Sequence, residues 1–157
     1  MNNLVLLPFQ KKHIKKTWIW RNDPITIKMS LSRKGVSLSE HISWCKKIMN
    51  SKENFLFVCE EFNSPVAVVR FDQNIENHNT YILTINVDPK KRGKGYGRIA
   101  LKRSIDLLKK KDKDCNLIVA KIRKCNFSSI KLFEFCGFHK ISIKDNIYSY
   151  IFEVKQD

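Results

Sequence analysis

Hydrophobic positions along this chain fall into short blocks, some with the period of two that marks a strand and some with the 3.6 period of an amphipathic helix. Residues 2–9 read as a strand, and residues 10–22 as a helix in which Ile14, Trp18 and Arg21 share a face. Pro24 interrupts that helix, and a short segment, residues 25–29, leads to a polar loop over residues 30–36. Ser37 followed three residues later by Glu40 forms a capping box. The helix it starts runs to about residue 50, with Leu38, His41, Ile42, Cys45, Ile48 and Met49 inward. Two strands follow, residues 55–62 and 66–72, joined by a hairpin turn at Asn63-Ser64-Pro65, and a polar loop over residues 73–79 precedes a strand over residues 81–87. Next comes a helix with Gly97, Leu101, Ile105 and Leu108 on its inner stripe and Arg98, Lys102 and Lys109 outward; residues 109–114 are its solvated end. Residues 117–122 are a buried-type strand. A short helix through Cys136 has Asn126 as N-cap and Gly137 as C-terminal cap, and strands at residues 138–143 and 147–154 flank Lys144-Asp145-Asn146. The order β-α-α-β-β-β-α-β-α-β-β predicts an α/β (α+β) sandwich on a mixed sheet.

One connection in this series carries chemistry. After Val87 the chain reads Asp88-Pro89-Lys90-Lys91-Arg92-Gly93-Lys94-Gly95-Tyr96-Gly97. Pro89 ends the strand because it has no amide hydrogen to donate. Glycines at alternate positions allow positive φ and close approach of an anion, and the first amides of the next helix lack partners. Together they make an anion cradle at a helix start. Lys90, Lys91, Arg92, Lys94 and Arg98 surround it with charge that suits a di- or polyphosphate. The G-x-G-x-G spacing fits neither a P-loop nor the G-x-G-x-x-G dinucleotide fingerprint.

Composition narrows the classes. With 157 residues the chain holds one domain, residues 1–157, and no repeat or low-complexity tract. No apolar run approaches the ~20 residues of a membrane span, and the start lacks the n- and h-regions of a signal peptide, which predicts a cytoplasmic protein. Cys45, Cys59, Cys115, Cys125 and Cys136 show no C-x-x-C spacing, so buried free thiols are expected rather than disulfides or a metal site. The net charge of +15 invites a nucleic-acid reading. Its lysines are dispersed, however, and neither a recognition helix nor an aromatic RNA-binding motif accompanies them, so nucleic acid is not the expected partner.

Arg92, Gly95 and Gly97 match R/Q-x-x-G-x-G/A, and the stretch resembles motif A of the GCN5-related N-acetyltransferases. The segment from Asn126 to Phe138 resembles motif B of the same family, N-x-x-S/A-x-x-L-Y/F-x-x-x-G-F, in the family's order. The resemblance implies a mixed, mostly antiparallel sheet of about seven strands flanked by about four helices. It also implies acetyl-coenzyme A as co-substrate: Val87, Arg92, Gly93, Lys94, Gly95, Tyr96 and Gly97 at the pyrophosphate and thioester, with Asn126, Ser129 and Phe133 along the pantetheine arm. The Val87 amide hydrogen would polarise the thioester carbonyl.

Trp20-Arg21-Asn22-Asp23-Pro24, Met29 and the His41-to-Trp44 helix resemble a subgroup that acetylates nucleotide-linked amino sugars, with related patterns in ribosomal-protein N-terminal acetyltransferases. On that resemblance Trp20, Arg21, Asn22, Met29, His41 and Trp44 are candidate acceptor contacts, Arg21 facing a diphosphate and the indoles a sugar or base. Small polyamines are a further acceptor class, and a coenzyme A sensor or a nucleic-acid module the non-enzymatic alternatives. A strongly basic chain disfavours cationic acceptors. The usual motif B tyrosine is Phe133 here, which leaves water, a thiolate that departs uncapped, or a tyrosine from elsewhere such as Tyr148 or Tyr150. The usual glutamate of the strand before the cradle is also missing, Thr84 and Asn86 standing in that region. His41, with an imidazole pKa near ~6.5, is the first candidate base and Asp72 the second. Oligomeric state stays open, a homodimer included.

Overall fold

The computed structural model describes residues 3–155. Its strands are β1 (Leu4–Pro8), β2 (Phe55–Glu61), β3 (Ser64–Gln73), β4 (Thr80–Val87), β5 (Leu117–Arg123), β6 (His139–Lys144) and β7 (Ile147–Glu153). The helices are α1 (Ile14–Arg21), α2 (Pro24–Met29), α3 (Leu38–Met49), α4 (Tyr96–Lys111) and α5 (Phe127–Phe135). All strands join one sheet in the order β1-β2-β3-β4-β5-β7-β6, antiparallel everywhere except between β4 and β5. The architecture is the mixed, mostly antiparallel one expected. Asn2, read as the start of the first strand, lies outside the described residues.

Strand alternation sorts the two faces. On β2, Phe57 and Cys59 join a core with Leu101, Ile105 and Leu108 of α4, while Leu56 and Val58 pack with Ile14, Cys45 and Ile48 beneath α1 and α3. Helices α1 and α3 therefore cover one face, and α4 the other, joined there by Phe133 of α5. Leu101 and Leu108 are fully buried, so truncating either to alanine costs about 2–5 kcal/mol. The capping box holds as read: Ser37 Oγ accepts from the Glu40 amide, and Glu40 Oε2 accepts from the Ser37 amide at 2.7 Å.

Four local expectations are corrected. Residues 25–29 are not a mere connection, because Asp23 accepts a hydrogen bond from the Thr26 amide and Pro24 occupies the first turn, which starts α2. The buried face of α1 is Ile14, Thr17 and Trp20, since the Trp18 indole turns to donate to the Val36 carbonyl at 2.9 Å. The first hairpin turns at Phe62-Asn63, both with positive φ (49° and 60°), so Ser64 and Pro65 already belong to β3. Four cysteines are buried, but Cys125 is exposed on the connection after β5.

Candidate active site between β4 and β5

The parallel pair is joined over only three positions, Thr80 with Leu117, Tyr81 with Ile118 and Ile82 with Val119, although β4 continues to Val87 and β5 to Arg123. Beyond Ile82 the strands part, and the gap opens toward their C-terminal ends. Register fixes which backbone groups face it. Asp88 donates its amide to the Val66 carbonyl, so even-numbered positions of β4 bond to β3. Val87, opposite Ala67 at the alternate position, directs its N–H into the gap.

The glycine cradle sits directly after that amide. Asp88 is buried and accepts from the Lys90 amide at 2.9 Å, which tightens the turn at Pro89–Lys91. Gly93 and Gly95 adopt φ of 73° and 84°, and open space surrounds the place a Gly93 side chain would fill. Gly95 is the N-cap of α4 and supplies no side-chain acceptor, so amides of the first turn stay free for an anion. Gly97 acts through packing: a Cβ there would lie 3.2 Å from Leu132 Cδ2 and 3.3 Å from Val87 Cγ2. Its absence lets α4 close on both β4 and α5. These features fit the pyrophosphate and pantetheine of coenzyme A.

Several side chains expected at the cofactor are committed elsewhere. Tyr96 is buried and donates to Glu61 Oε2 at 2.6 Å, and Lys91 reaches the same oxygen at 3.0 Å. Arg92 donates to Asp23 Oδ2 at 3.0 Å and Thr26 Oγ1 at 2.7 Å, and the Arg98 guanidinium lies over the Phe135 ring at 3.4 Å. Tyr96 and Arg92 thus contribute to the cradle through backbone and shape, while exposed Lys90 and Lys94 carry the accessible charge. Asn126 caps α5, its Oδ1 accepting from the Ser129 amide at 3.2 Å, which leaves its side-chain NH₂ for a ligand. Phe133 is buried edge-on against Phe138 at 4.9 Å.

The acceptor-side expectations divide. Trp20 is 2% exposed and belongs to the packed interior, not to a substrate surface. Asn22 is a clasp: its side chain accepts from the Val36 amide at 2.9 Å and donates to the Val36 and Trp18 carbonyls. Met29 stands at the end of α2 beside Cys125, with sulfur atoms 3.9 Å apart. His41 is buried between α1 and α3 and stacks on Trp44. Its Nε2 lies 3.1 Å from Thr17 Oγ1, whose own hydrogen serves the His13 and Ile14 carbonyls. Burial first, then the charge of Arg21, lowers its pKa. A ring so enclosed is a structural histidine and not an exposed base. Asp72 lies opposite Ile82, at the closed end of the gap, five residues or roughly 17 Å along β4 from Val87. Burial raises its carboxyl against the opposing charge of Arg70, and its place on the sheet lies away from the Val87 edge.

At the open end, a cavity of about 700 Å³ adjoins the C-terminal end of β5. Its walls include Arg33 from the loop before α3, Arg123, Lys124, Lys140, Phe127 and Tyr148. Arg123 ties the loop down by donating to the Ser30 and Leu31 carbonyls, both at 2.7 Å. Tyr150 donates to Glu134 at 2.8 Å and its phenol is pushed up to about 12, by burial first and that carboxylate second. Lys140 sits 4.4 Å over the Tyr148 ring. The sequence reading overlooked these basic residues because they come from separate connections and from β6. It also overlooked Arg70, although the alternation Val69-Arg70-Phe71-Asp72 puts two charged side chains on one face of a strand.

A split parallel pair with a free amide at its edge and an anion cradle at the following helix defines an acyl-coenzyme A-dependent transferase. The family model described as acetyltransferase (GNAT) family matches residues 17–138, and the chain belongs to that family. It is an acetyl-coenzyme A-dependent N-acetyltransferase. Among solved structures, the fold is similar to an N-acetyltransferase from Staphylococcus aureus Mu50, with TM-score 0.81, 24% identity and coverage of 98% of this chain and 99% of that one. It is also similar to the spermidine N-acetyltransferase from Vibrio cholerae in complex with CoA and spermine, with TM-score 0.83, 16% identity and coverage of 98% and 96%. The ribosomal-protein-alanine N-acetyltransferase from Brucella melitensis matches with TM-score 0.79, 16% identity and coverage of 96% and 99%. None of the curated proteins matches this sequence. Among the described residues, no helix is long and apolar enough to cross a membrane.

Proposed function

We propose that the chain acetylates the primary amine of a small anionic acceptor, a nucleotide-linked amino sugar, bound in the cavity at the end of β5. The observation that carries this reading is the lining: Arg33, Arg123, Lys124 and Lys140 against Glu134 and Asp145, with Phe127 and Tyr148 offering ring faces to a base or sugar. Such a wall attracts phosphate and repels polyamines. The gap opens toward the C-terminal ends of β4 and β5, and the cavity adjoins the C-terminal end of β5, so in this reading the sugar amine extends from the cavity toward the edge of β4.

Acetyl-coenzyme A supplies an acetyl group activated as a thioester. The free amine attacks its carbonyl carbon, the C–N bond forms, and the C–S bond breaks to release coenzyme A thiolate. Val87 donates its amide hydrogen to the oxygen that gains charge in this step. The cradle and Asn126 hold the donor in line, so orientation in the ternary complex contributes much of the rate. Thr84 and Asn86 stand where a carboxylate base would project from β4, and neither side chain is basic enough to take up a proton. The acceptor therefore loses its ammonium proton to solvent before attack. After attack the nitrogen gives up its second proton to solvent, and Tyr148, on the cavity wall, donates the proton that the departing sulfur takes up and is reprotonated from solvent.

Thiol release measured on a panel of nucleotide-linked amino sugars, spermidine and an alanine-terminated peptide tests the acceptor. The expected result is a kcat/KM at least tenfold higher for the nucleotide-linked amines. Turnover confined to spermidine or the peptide would reject the reading.

A further inference from the structure

Arg21 ends α1, and Arg70 lies mid-way along β3 on the face that α1 and α3 cover. Both are half-buried. Arg21 Nη2 donates to Ser32 Oγ at 3.1 Å, but its Nη1 is buried without a partner. Arg70 Nε is 2.7 Å from Asp72 Oδ2, yet its N–H is not aimed at that oxygen, so the pair is a charge contact without an aligned hydrogen bond. Arg70 lies over the Trp44 ring at 5.2 Å, which fixes its plane. Burial, and then the charge of Arg70, holds the Arg21 guanidinium below its ordinary value. The groups facing Arg21 are thus Arg70, also cationic, and His41, whose own protonation Arg21 opposes.

Two guanidinium groups against one carboxylate leave a positive charge that solvent only partly screens. Burying such charge without a counterion is unfavourable, and an arginine fork left unfilled is shaped for an oxyanion. Position relates this surplus to the reaction. Arg70 stands opposite Thr84, within the stretch of β4 that has parted from β5, three residues or on the order of 10 Å from Val87. Ser32, bonded to Arg21, precedes Arg33 on the cavity wall, so the cluster adjoins the proposed acceptor cavity.

We propose that Arg21 and Arg70 form an oxyanion subsite that holds a phosphate or carboxylate of the acceptor while its amine reaches the Val87 edge. This inference rests on the reading of the acceptor as an anionic amine. The spacing selects among anionic amines: the anion must lie several bonds from the nitrogen, as in an amino sugar diphosphate. An α-amino acid, whose carboxylate and amine share one carbon, cannot span both places.

The test uses the full chain and Arg21→Gln and Arg70→Gln, with Arg70→Lys as a variant that keeps charge and loses the fork. For a nucleotide-linked amino sugar, the glutamine variants raise acceptor KM ten- to a hundredfold with acetyl-coenzyme A KM within twofold of wild type, and Arg70→Lys falls between. Amines bearing a carboxylate or a single phosphate at similar spacing identify which oxyanion is preferred. For the amine stripped of its anion, the ratio of variant to wild-type KM falls to within twofold. Inorganic pyrophosphate supplies a readout independent of turnover: with coenzyme A saturating the cradle, it raises the wild-type melting temperature, and both glutamine variants lose the shift. Unchanged acceptor KM in both glutamine variants, with anionic amines still acetylated, overturns the subsite and leaves the proposed function standing. If wild type acetylates only neutral or cationic amines, the proposed function falls, and the pyrophosphate shift alone decides the subsite: a shift lost in the variants supports it, and its absence in wild type overturns it.

Discussion

Arg92 donates to Asp23 Oδ2 at 3.0 Å, so the residue that opens the cradle motif is also the clasp on the N-cap of α2. Burial raises the Asp23 carboxyl, but its two partners, the Thr26 amide and the Arg92 guanidinium, together outweigh that and hold it below its ordinary range. The coupling runs from the cofactor loop to the helix that leads into the acceptor side.

Asp23→Ala removes a cap worth about 1 kcal/mol and a half-exposed ion pair worth up to about 1 kcal/mol, so urea denaturation should show a loss of about 1–2 kcal/mol. Arg92→Ala should cost less, about 0.5–1 kcal/mol, and raise the KM of the acceptor more than that of acetyl-coenzyme A. A larger effect on acetyl-coenzyme A would mean that the guanidinium leaves Asp23 for the pyrophosphate.

Gly97→Ala puts a methyl between Leu132 and Val87 at 3.2 and 3.3 Å. Overpacking of this kind costs about 1–3 kcal/mol, and the push falls on the residue whose amide faces the gap, so kcat should drop severalfold. Gly95→Ala acts differently, because its φ of 84° strains any side chain by about 1–2 kcal/mol. Calorimetry should show weaker coenzyme A binding there.

Stability should decline on the acid side of neutrality. Burial, opposed by Glu60 for His13 and by the Ile14 backbone for His41, lowers both imidazoles below 6.5. Above about pH 6.5 neither the folded nor the unfolded chain binds these protons, so the contribution is flat. Below it the unfolded chain binds more protons, and stability falls with a slope of up to about 1.4 kcal/mol per pH unit for each histidine. Urea midpoints across this range measure it, and a midpoint that rises on acidification would contradict the burial argument.

Because His41 is enclosed by Thr17, Cys45 and Trp44, His41→Gln should lower stability while leaving the shape of kcat/KM against pH unchanged. That profile should climb until the pKa of the acceptor amine, with no break at or below 6.5. Tyr148→Phe should lower kcat about a hundredfold, the low end of general-acid effects. An inflection below 6.5 that disappears in His41→Gln would restore the histidine as a base.

The sequence was most readable where one residue type has one structural solution. Alternation gave the strands, Ser37 with Glu40 gave the start of α3, and Gly93, Gly95 and Gly97 gave the cradle. It misled where a side chain had several partners to choose from. Trp20 and His41 share the aromatic or polar character of substrate contacts, and only the packing of α1 against α3 puts them inside. Arg92, Lys91 and Tyr96 read as cofactor groups until long-range partners, Asp23 and Glu61, claimed their side chains. The cavity was illegible because its walls come from residues about a hundred positions apart, Arg33 and Lys140 among them.

The most direct test of the catalytic account replaces Val87 by its α-hydroxy acid, which turns one backbone amide into an ester and removes the hydrogen aimed into the gap while keeping every side chain. Measured by thiol release, kcat should fall about 10²-fold or more, as for loss of an oxyanion donor, with the KM of acetyl-coenzyme A within twofold of the native value. An unchanged kcat would contradict the assignment of the edge of β4 as the place where the acetyl group is transferred.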